Sequence, residues 1–242
     1  MNTIAALKAV ICAFLLLIAL FPIYWLIAMA IRPTSEMTGH ISIIPHSLTI
    51  EHFKALFVSR GFGQAIVNSL QTTLSSLVLS LAVGICAAYA IARRRFHFRI
   101  KKPMTYWILL VRVLPPVAFT IPLYTMFSKV GILNTKLPVT LACVLINVPL
   151  IIWFLISFFQ DLPEEVEESA KVDGATEWQL FLRIVLPLVA PGIAEVAMLS
   201  FMYAWNEYTY TVIFTLTPSN NTVPLALSLL NTEDNLTNFG LV

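Results

Sequence analysis

Charge is what this chain has least of. Asp, Glu, Lys and Arg make up 12% of its 242 residues, about half the share in an ordinary soluble domain. The formal net charge of +2 is too small to imply a nucleic-acid partner. Cysteine is also scarce. Cys12, Cys86 and Cys143 each sit inside an apolar run. None has a second Cys or a His at metal-ligand spacing, so there is no disulfide framework or metal cluster to build on. They read as small buried hydrophobes.

Apolar residues fill the space: 58% of the chain is hydrophobic and the mean hydropathy is +0.83. A membrane-spanning helix needs about 20 mostly apolar residues. Five stretches qualify, at about 7–31, 66–92, 104–127, 137–159 and 188–214. The expected fold is an all-α integral membrane protein. Ala28-Met29-Ala30 resembles a signal-peptide cleavage site, but the apolar run before it exceeds a signal core, and the stretch is read as a retained helix. The spans hold no His, and their carboxylates are not paired, which opposes a membrane-embedded enzyme.

The few cations set the expected orientation. Arg93, Arg94, Arg95, Arg99, Lys101 and Lys102 form the densest basic cluster, which places that segment in the cytoplasm. Alternation then puts the N-terminus and 160–187 inside, and 32–65, 128–136 and 216–242 outside. His40, His46 and His52 lie in the outer loop without tight spacing and read as plain surface residues.

The 160–187 segment is the informative one. Pro163 suits the first turn of a helix, and Glu164 and Glu165 beside it complement the positive helix end. Gly174 can adopt the left-handed conformation that ends that helix. Thr176 can cap a second, amphipathic helix with Trp178, Phe181, Leu182 and Val185 toward one side. A solvated acidic loop would explain the charge alone. A capped hairpin with Trp178, Leu180 and Phe181 exposed to water would instead mark a partner surface.

Here the sequence resembles a known family. Glu168-Ser169-Ala170, three residues, Gly174, nine residues, then Ile184-x-Leu186-Pro187 is similar to the EAA signature of ABC-importer permeases, with Ser169 where alanine is usual. Arg112-Val113-Leu114-Pro115-Pro116, Ile121-Pro122-Leu123-Tyr124, Gly131-Ile132-Leu133-Asn134-Thr135 and Ala204-Trp205-Asn206-Glu207 look like the maltose-type carbohydrate uptake permeases. The likeness is to the shorter, six-helix partner of each permease pair. Arg32-Pro33-Thr34-Ser35-Glu36 and Thr222-Val223-Pro224-Leu225-Ala226 are similar too.

The resemblance implies a type I ABC-importer helix bundle. It divides the chain into a first transmembrane helix at 1–31, an extracytoplasmic loop at 32–65 and an ABC transmembrane type-1 domain at 66–242, with a coupling hairpin at 160–187. Five spans are seen. The family's sixth helix is expected to begin where this chain reaches Val242, so the domain is read as incomplete at that end.

Implied partners are a second permease, two ATPase subunits and an extracytoplasmic solute-binding protein, with membrane lipid around the helices and a sugar as cargo. The implied location is a bacterial cytoplasmic membrane, with the N-terminus in the cytoplasm. ATP and Mg would sit on the ATPases, and this chain would bind no cofactor and catalyse no reaction. The residues implied for coupling are Glu168, Ser169, Ala170, Asp173, Gly174, Ile184, Leu186 and Pro187.

Trp205, Asn206, Glu207, Tyr208 and Arg112 are candidates for a substrate path, since sugars favour aromatic platforms beside amides and carboxylates. An interfacial belt of aromatic and polar groups accounts equally for the first four. Arg112 could instead snorkel from the third span to the cytoplasmic surface. Glu195 is given no role. The alternative functions are an ABC permease for a non-sugar solute and an ion-coupled secondary transporter.

Overall fold

The computed structural model describes residues 3–37, 42–93 and 101–233. Among these the regular structure is entirely helical. The chain forms two compact units, residues 1–63 with 226–242 and residues 64–225.

In the first unit, α1 (Thr3–Ala30) runs for 28 residues, about 42 Å at 1.5 Å rise. Its side chains are mostly exposed and apolar, Leu7, Phe14, Leu17 and Leu26 among them, as suits a helix whose solvent is lipid. The loop after it is ordered by polar contacts. Arg32 is fully buried and its guanidinium donates to the Ser42 carbonyl at 2.6 Å. His52 Nε2 donates to the Arg32 carbonyl at 2.8 Å. His52 is therefore buried rather than a plain surface residue. The Glu36 carboxylate accepts from the His46 amide at 3.1 Å and from the Ser47 hydroxyl. His40 lies outside the described residues.

In the second unit, α2 (Phe62–Ala92) carries small residues at every fourth position: Thr72, Ser76, Ser80, Gly84, Ala88 and Ala92, all buried. Such a ladder lets helix backbones approach closely. A Cβ on Gly84 would lie 2.5 Å from the Ile151 side chain, so only glycine fits this crossing. Ile151 belongs to α5 (Lys136–Asp161), which Thr135 caps by accepting from the Leu137 amide at 3.4 Å.

The third apolar stretch is two helices, α3 (Lys101–Val113) and α4 (Pro116–Val130). Pro115 between them is extended, with ψ at 139°. Consecutive prolines remove two amide donors and push the residue before each out of the helical region.

The fifth stretch is also broken, into α8 (Ala190–Trp205) and α9 (Thr209–Phe214). The 16 residues of α8 reach only about 24 Å, short of an apolar slab of about 30 Å. Three described helices, Leu7–Ala30, Phe62–Ala92 and Lys136–Asp161, are each long and apolar enough to cross a membrane alone.

α5 packs against α3 and α8. One core joins Ala88 and Ile91 of α2 to Leu150, Leu155 and Phe159 of α5 and to Val196 of α8. A second joins Phe127, Val139, Cys143, Tyr210 and Phe214. Of the cysteines only Cys143 is buried; Cys12 and Cys86 lie on exposed helix surfaces. An apolar run in a membrane helix faces lipid as readily as protein, so it does not predict packing. α10 (Val223–Glu233) ends the described chain.

Candidate functional site

The hairpin forms where α2 and α5 end. α6 (Glu164–Val172) starts after Pro163, whose ψ is 134°, so the proline is the capping residue rather than part of the first turn. Glu164, Glu165 and Glu167 fill that turn. Gly174 then takes a φ of 83°, with its amide bonded to the Lys171 carbonyl at 3.0 Å and Ala175 N to Ala170 O at 2.9 Å. Thr176 opens α7 (Glu177–Leu188) with a reciprocal cap. Its hydroxyl accepts from the Gln179 amide at 3.3 Å, and the Gln179 side chain accepts from the Thr176 amide at 2.9 Å. Within α7, Leu180–Val185 is a wider, π-type turn. α7 meets α8 at 73°.

The two faces of the hairpin differ sharply. Ala170, Leu180, Phe181 and Val185 are buried inward. Leu180 and Phe181 therefore do not face water, and Trp178 alone of the expected trio is exposed. The outer face carries Glu165, Glu168, Ser169, Val172 and Asp173 around a shallow hollow of ≈ 430 Å³. Val172 is 87% exposed and Trp178 71%, unusual for apolar side chains in water. Gly174 and Pro187 are exposed, while Ile184 and Leu186 are half-buried.

Sequence reasoning missed the contact on the inner face. Glu167 pairs with Arg93, Nε to Oε1, at 2.6 Å, and the two side chains are 8% and 9% exposed. Arg93 Nη1 also donates to the Leu162 carbonyl at 3.1 Å. Tyr89 Oη reaches Glu167 Oε1 at 3.4 Å. The Tyr89 ring lies 5.4 Å from Phe159 and 4.9 Å from Phe181, centroid to centroid. One signal was available: Glu167 is three residues before Ala170 and shares its helix face. Arg94, Arg95 and Arg99 of the basic cluster lie outside the described residues, as do the side chains of Lys101 and Lys102.

The second candidate region is the break between α8 and α9. A cavity of ≈ 470 Å³ there is lined by Asn147, Tyr203, Asn206, Glu207 and Tyr208, among others. Glu207 accepts from the Tyr210 amide at 2.8 Å and from the Thr211 amide and hydroxyl at 3.1 and 3.2 Å. Its carboxylate thus caps α9. Asn206 Nδ2 donates back to the Met202 carbonyl at 2.8 Å. Trp205 stacks on Phe201 at 5.7 Å and does not line the cavity. Asn147, which sequence reasoning passed over, donates from a buried position on α5 to the Ser200 carbonyl at 3.3 Å. The Arg112 side chain lies outside the described set; its backbone is in the last turn of α3.

Asn134 holds the loops beside this region. Its φ is 60°, and its Oδ1 accepts from the amides of Leu216 at 2.9 Å and Thr217 at 3.0 Å. Asn68 on α2 donates to the carbonyls of Ser219 and Asn221 at 2.8 and 2.9 Å. The loop after α9 is thereby pinned to the starts of α5 and α2.

Known proteins share both the sequence and the fold. The chain is 34% identical over 213 residues to a diacetylchitobiose uptake system permease protein of Streptomyces coelicolor, covering 88% of this chain and 76% of that one. It is 31% identical over 210 residues to the trehalose transport system permease protein of Mycobacterium tuberculosis, covering 87% and 76%. It is 30% identical over 229 residues to an arabinooligosaccharides transport system permease protein of Halalkalibacterium halodurans, covering 91% and 79%. In fold it matches a chain from the crystal structure of a bacterial ABC transporter involved in import of the acidic polysaccharide alginate. The TM-score is 0.77 at 22% identity, over 96% of this chain and 81% of that one. The family profile described as "binding-protein-dependent transport system inner membrane component" matches residues 80–239, and the chain belongs to that family.

Proposed function

We propose that this chain is a permease subunit of an ABC importer for a sugar, a mono-, di- or oligosaccharide, in a bacterial cytoplasmic membrane. It would form half of the translocation path. The observation that carries the reading is the two-faced hairpin. Its inner side is locked into the bundle, while Glu168, Ser169, Val172, Asp173 and Trp178 are left outward. Acids beside exposed apolar groups fit a docking cleft with an apolar floor and a cationic rim. That is the chemistry expected of an ATPase partner.

ATP and Mg would be bound by two such partners, and the chain itself would catalyse nothing. A second permease and an extracytoplasmic binding protein complete the assembly. The sugar assignment is supported by the trehalose, diacetylchitobiose and arabinooligosaccharide relatives. Asn206 and Tyr208 at the cavity suit a polyhydroxyl ligand.

The N-terminus and the hairpin are assigned to the cytoplasm. Single cysteines at Val172 and Ser219, both exposed, test this by labelling. An impermeant reagent on intact cells should modify position 219 and spare 172. Labelling of both would overturn the orientation. Docking is tested by co-purifying the ATPase in mild detergent and measuring ATP-dependent sugar uptake in vesicles.

A further inference from the structure

The hairpin is joined by chain to α5 through Leu162–Pro163 and to α8 through Val189. It has no such link to α2. Motion imposed on its outer face would therefore reach α5 and α8 directly, and α2 only if something grips it. We propose that Arg93, Glu167 and Tyr89 form that grip: a positioning strut that makes α2 follow the hairpin. The proposal rests on the reading above that an ATPase docks on the outer face, and takes its ATP-driven motion to be passed on there.

The geometry supports a rigid connection. Arg93 holds two separate points, the Glu167 carboxylate at 2.6 Å on α6 and the Leu162 carbonyl at 3.1 Å at the corner between α5 and α6. Tyr89, one turn earlier, puts its hydroxyl 3.4 Å from the same carboxylate. Its ring lies against Phe181 of α7 and Phe159 of α5. The last turn of α2 and Arg93 just beyond it thus touch both arms of the hairpin, its corner and the helix that leads into it.

Burial makes the contact stiff. Both charged side chains are less than a tenth exposed, so water screens the pair little. The guanidinium also takes a directional hydrogen bond to the Leu162 carbonyl beside the ion pair, which fixes its orientation. Apolar residues of similar volume fill such a space with equal stability, so stability alone gives no reason for an ion pair here. The strut couples two moving bodies through a fixed geometry, which an apolar contact would let slide.

Glu167 and Glu168 then have separate jobs although they are neighbours. Glu168 faces the docking partner and Glu167 faces α2.

The test uses the complete transporter, with second permease, ATPases and binding protein, reconstituted in vesicles. Arg93→Gln and Glu167→Gln should keep the ATPase bound and hydrolysing. ATP consumed per sugar imported should rise by about 5-fold or more, the low end of typical site-to-site coupling. Arg93→Lys keeps the charge without the fork and should show a smaller rise. It also serves as the assay where Arg93→Gln fails to assemble. The exchange Arg93→Glu with Glu167→Arg should restore part of the ratio.

An unchanged ratio in Arg93→Gln, Glu167→Gln and Arg93→Lys, with the complex intact, overturns the strut and leaves docking standing. Loss of ATPase binding in Arg93→Lys, unrepaired by the exchange, reduces the pair to a structural support and also overturns it. A parent chain that retains no ATPase overturns the docking reading and the strut together.

Discussion

At Gly174 and at residues 206–208 the chain leaves one helix and begins another, and different atoms satisfy the two turns. At the hairpin, the backbone closes on itself through Gly174 and Ala175, and the uncharged Thr176 and Gln179 supply the cap. The acids Glu168 and Asp173 are left outward. At the break between α8 and α9 the acid itself is the cap, with Glu207 accepting two amides and a hydroxyl. The difference follows from solvent. Backbone donors in an apolar slab must be satisfied by the protein, whereas at the proposed docking face the acids are left for a partner. A polar cluster within a span is therefore ambiguous until its hydrogen bonds are counted.

The largest expected effect tests the cap at the break, where half-buried Glu207 serves the fully buried Tyr210 and Thr211. Glu207→Ala strands the Tyr210 and Thr211 amides and the Thr211 hydroxyl. Each unsatisfied buried donor costs about 1–3 kcal/mol. Unfolding in detergent should lose about 3 kcal/mol or more, and Glu207→Gln, which keeps an acceptor, should lose less. A parent-like melting temperature for Glu207→Ala would mean the carboxylate is free to serve a ligand.

Gly174→Val comes next and tests the hairpin turn. A Cβ there would meet nothing within 4 Å, yet φ is 83°. The whole cost is backbone strain, about 1–2 kcal/mol for an L-residue. Membrane insertion should be unaffected while ATPase co-purification falls. Gly174→Asn, which tolerates this conformation, should be milder. Equal loss for Asn and Val would point to the missing space of glycine rather than its φ.

Much of the hairpin was legible because its devices are local. Pro163, Gly174 and Thr176 act within a few residues of themselves, so their roles survive without tertiary knowledge. Which acid turns inward was not legible, because that depends on where α2 ends and on Arg93 being there. The same holds for Leu180 and Phe181, whose burial comes from Tyr89 and the α5 end. The breaks at Pro115 and at residues 206–208 were passed over because hydropathy is a running sum. It registers apolar content and not the missing amide of a proline or a capping carboxylate. Asn134 and Asn147 lay hidden for another reason: their partners are far away in sequence.

Glu168→Lys should change stability by no more than about 0.5 kcal/mol, as for an exposed substitution away from caps and cores. ATPase affinity should fall by about tenfold, or about 1.4 kcal/mol. Glu167→Lys should instead destabilise the chain, since it places a second cation against buried Arg93. The contrast between neighbouring acids is read by melting temperature and by ATPase retention. Equal behaviour in both assays would erase the distinction between the two faces.

The smallest effect belongs to a second acid that holds backbone. Glu36 repeats the pattern of Glu207, accepting a backbone amide from His46 and a hydroxyl from Ser47, but on an exposed loop between α1 and α2. The Ser47 hydroxyl and the amide hydrogen bonds hold its carboxyl below the ordinary value of 4.5. The folded loop therefore binds its proton less readily than the unfolded chain does. Its contribution is present above pH 4.5 and fades as pH falls through the lowered folded value. The half-buried group sits on a surface loop where solvent screens it, so global melting should not register the change. Amide hydrogen exchange at His46 should, with protection dropping as the carboxylate is protonated. Glu36→Gln should remove that pH dependence while leaving exchange at Tyr210 and Thr211, under the Glu207 cap, as slow as before. If protection at His46 stays flat down to pH 3, the carboxylate does not hold this loop, and its likeness to the Glu207 cap fails.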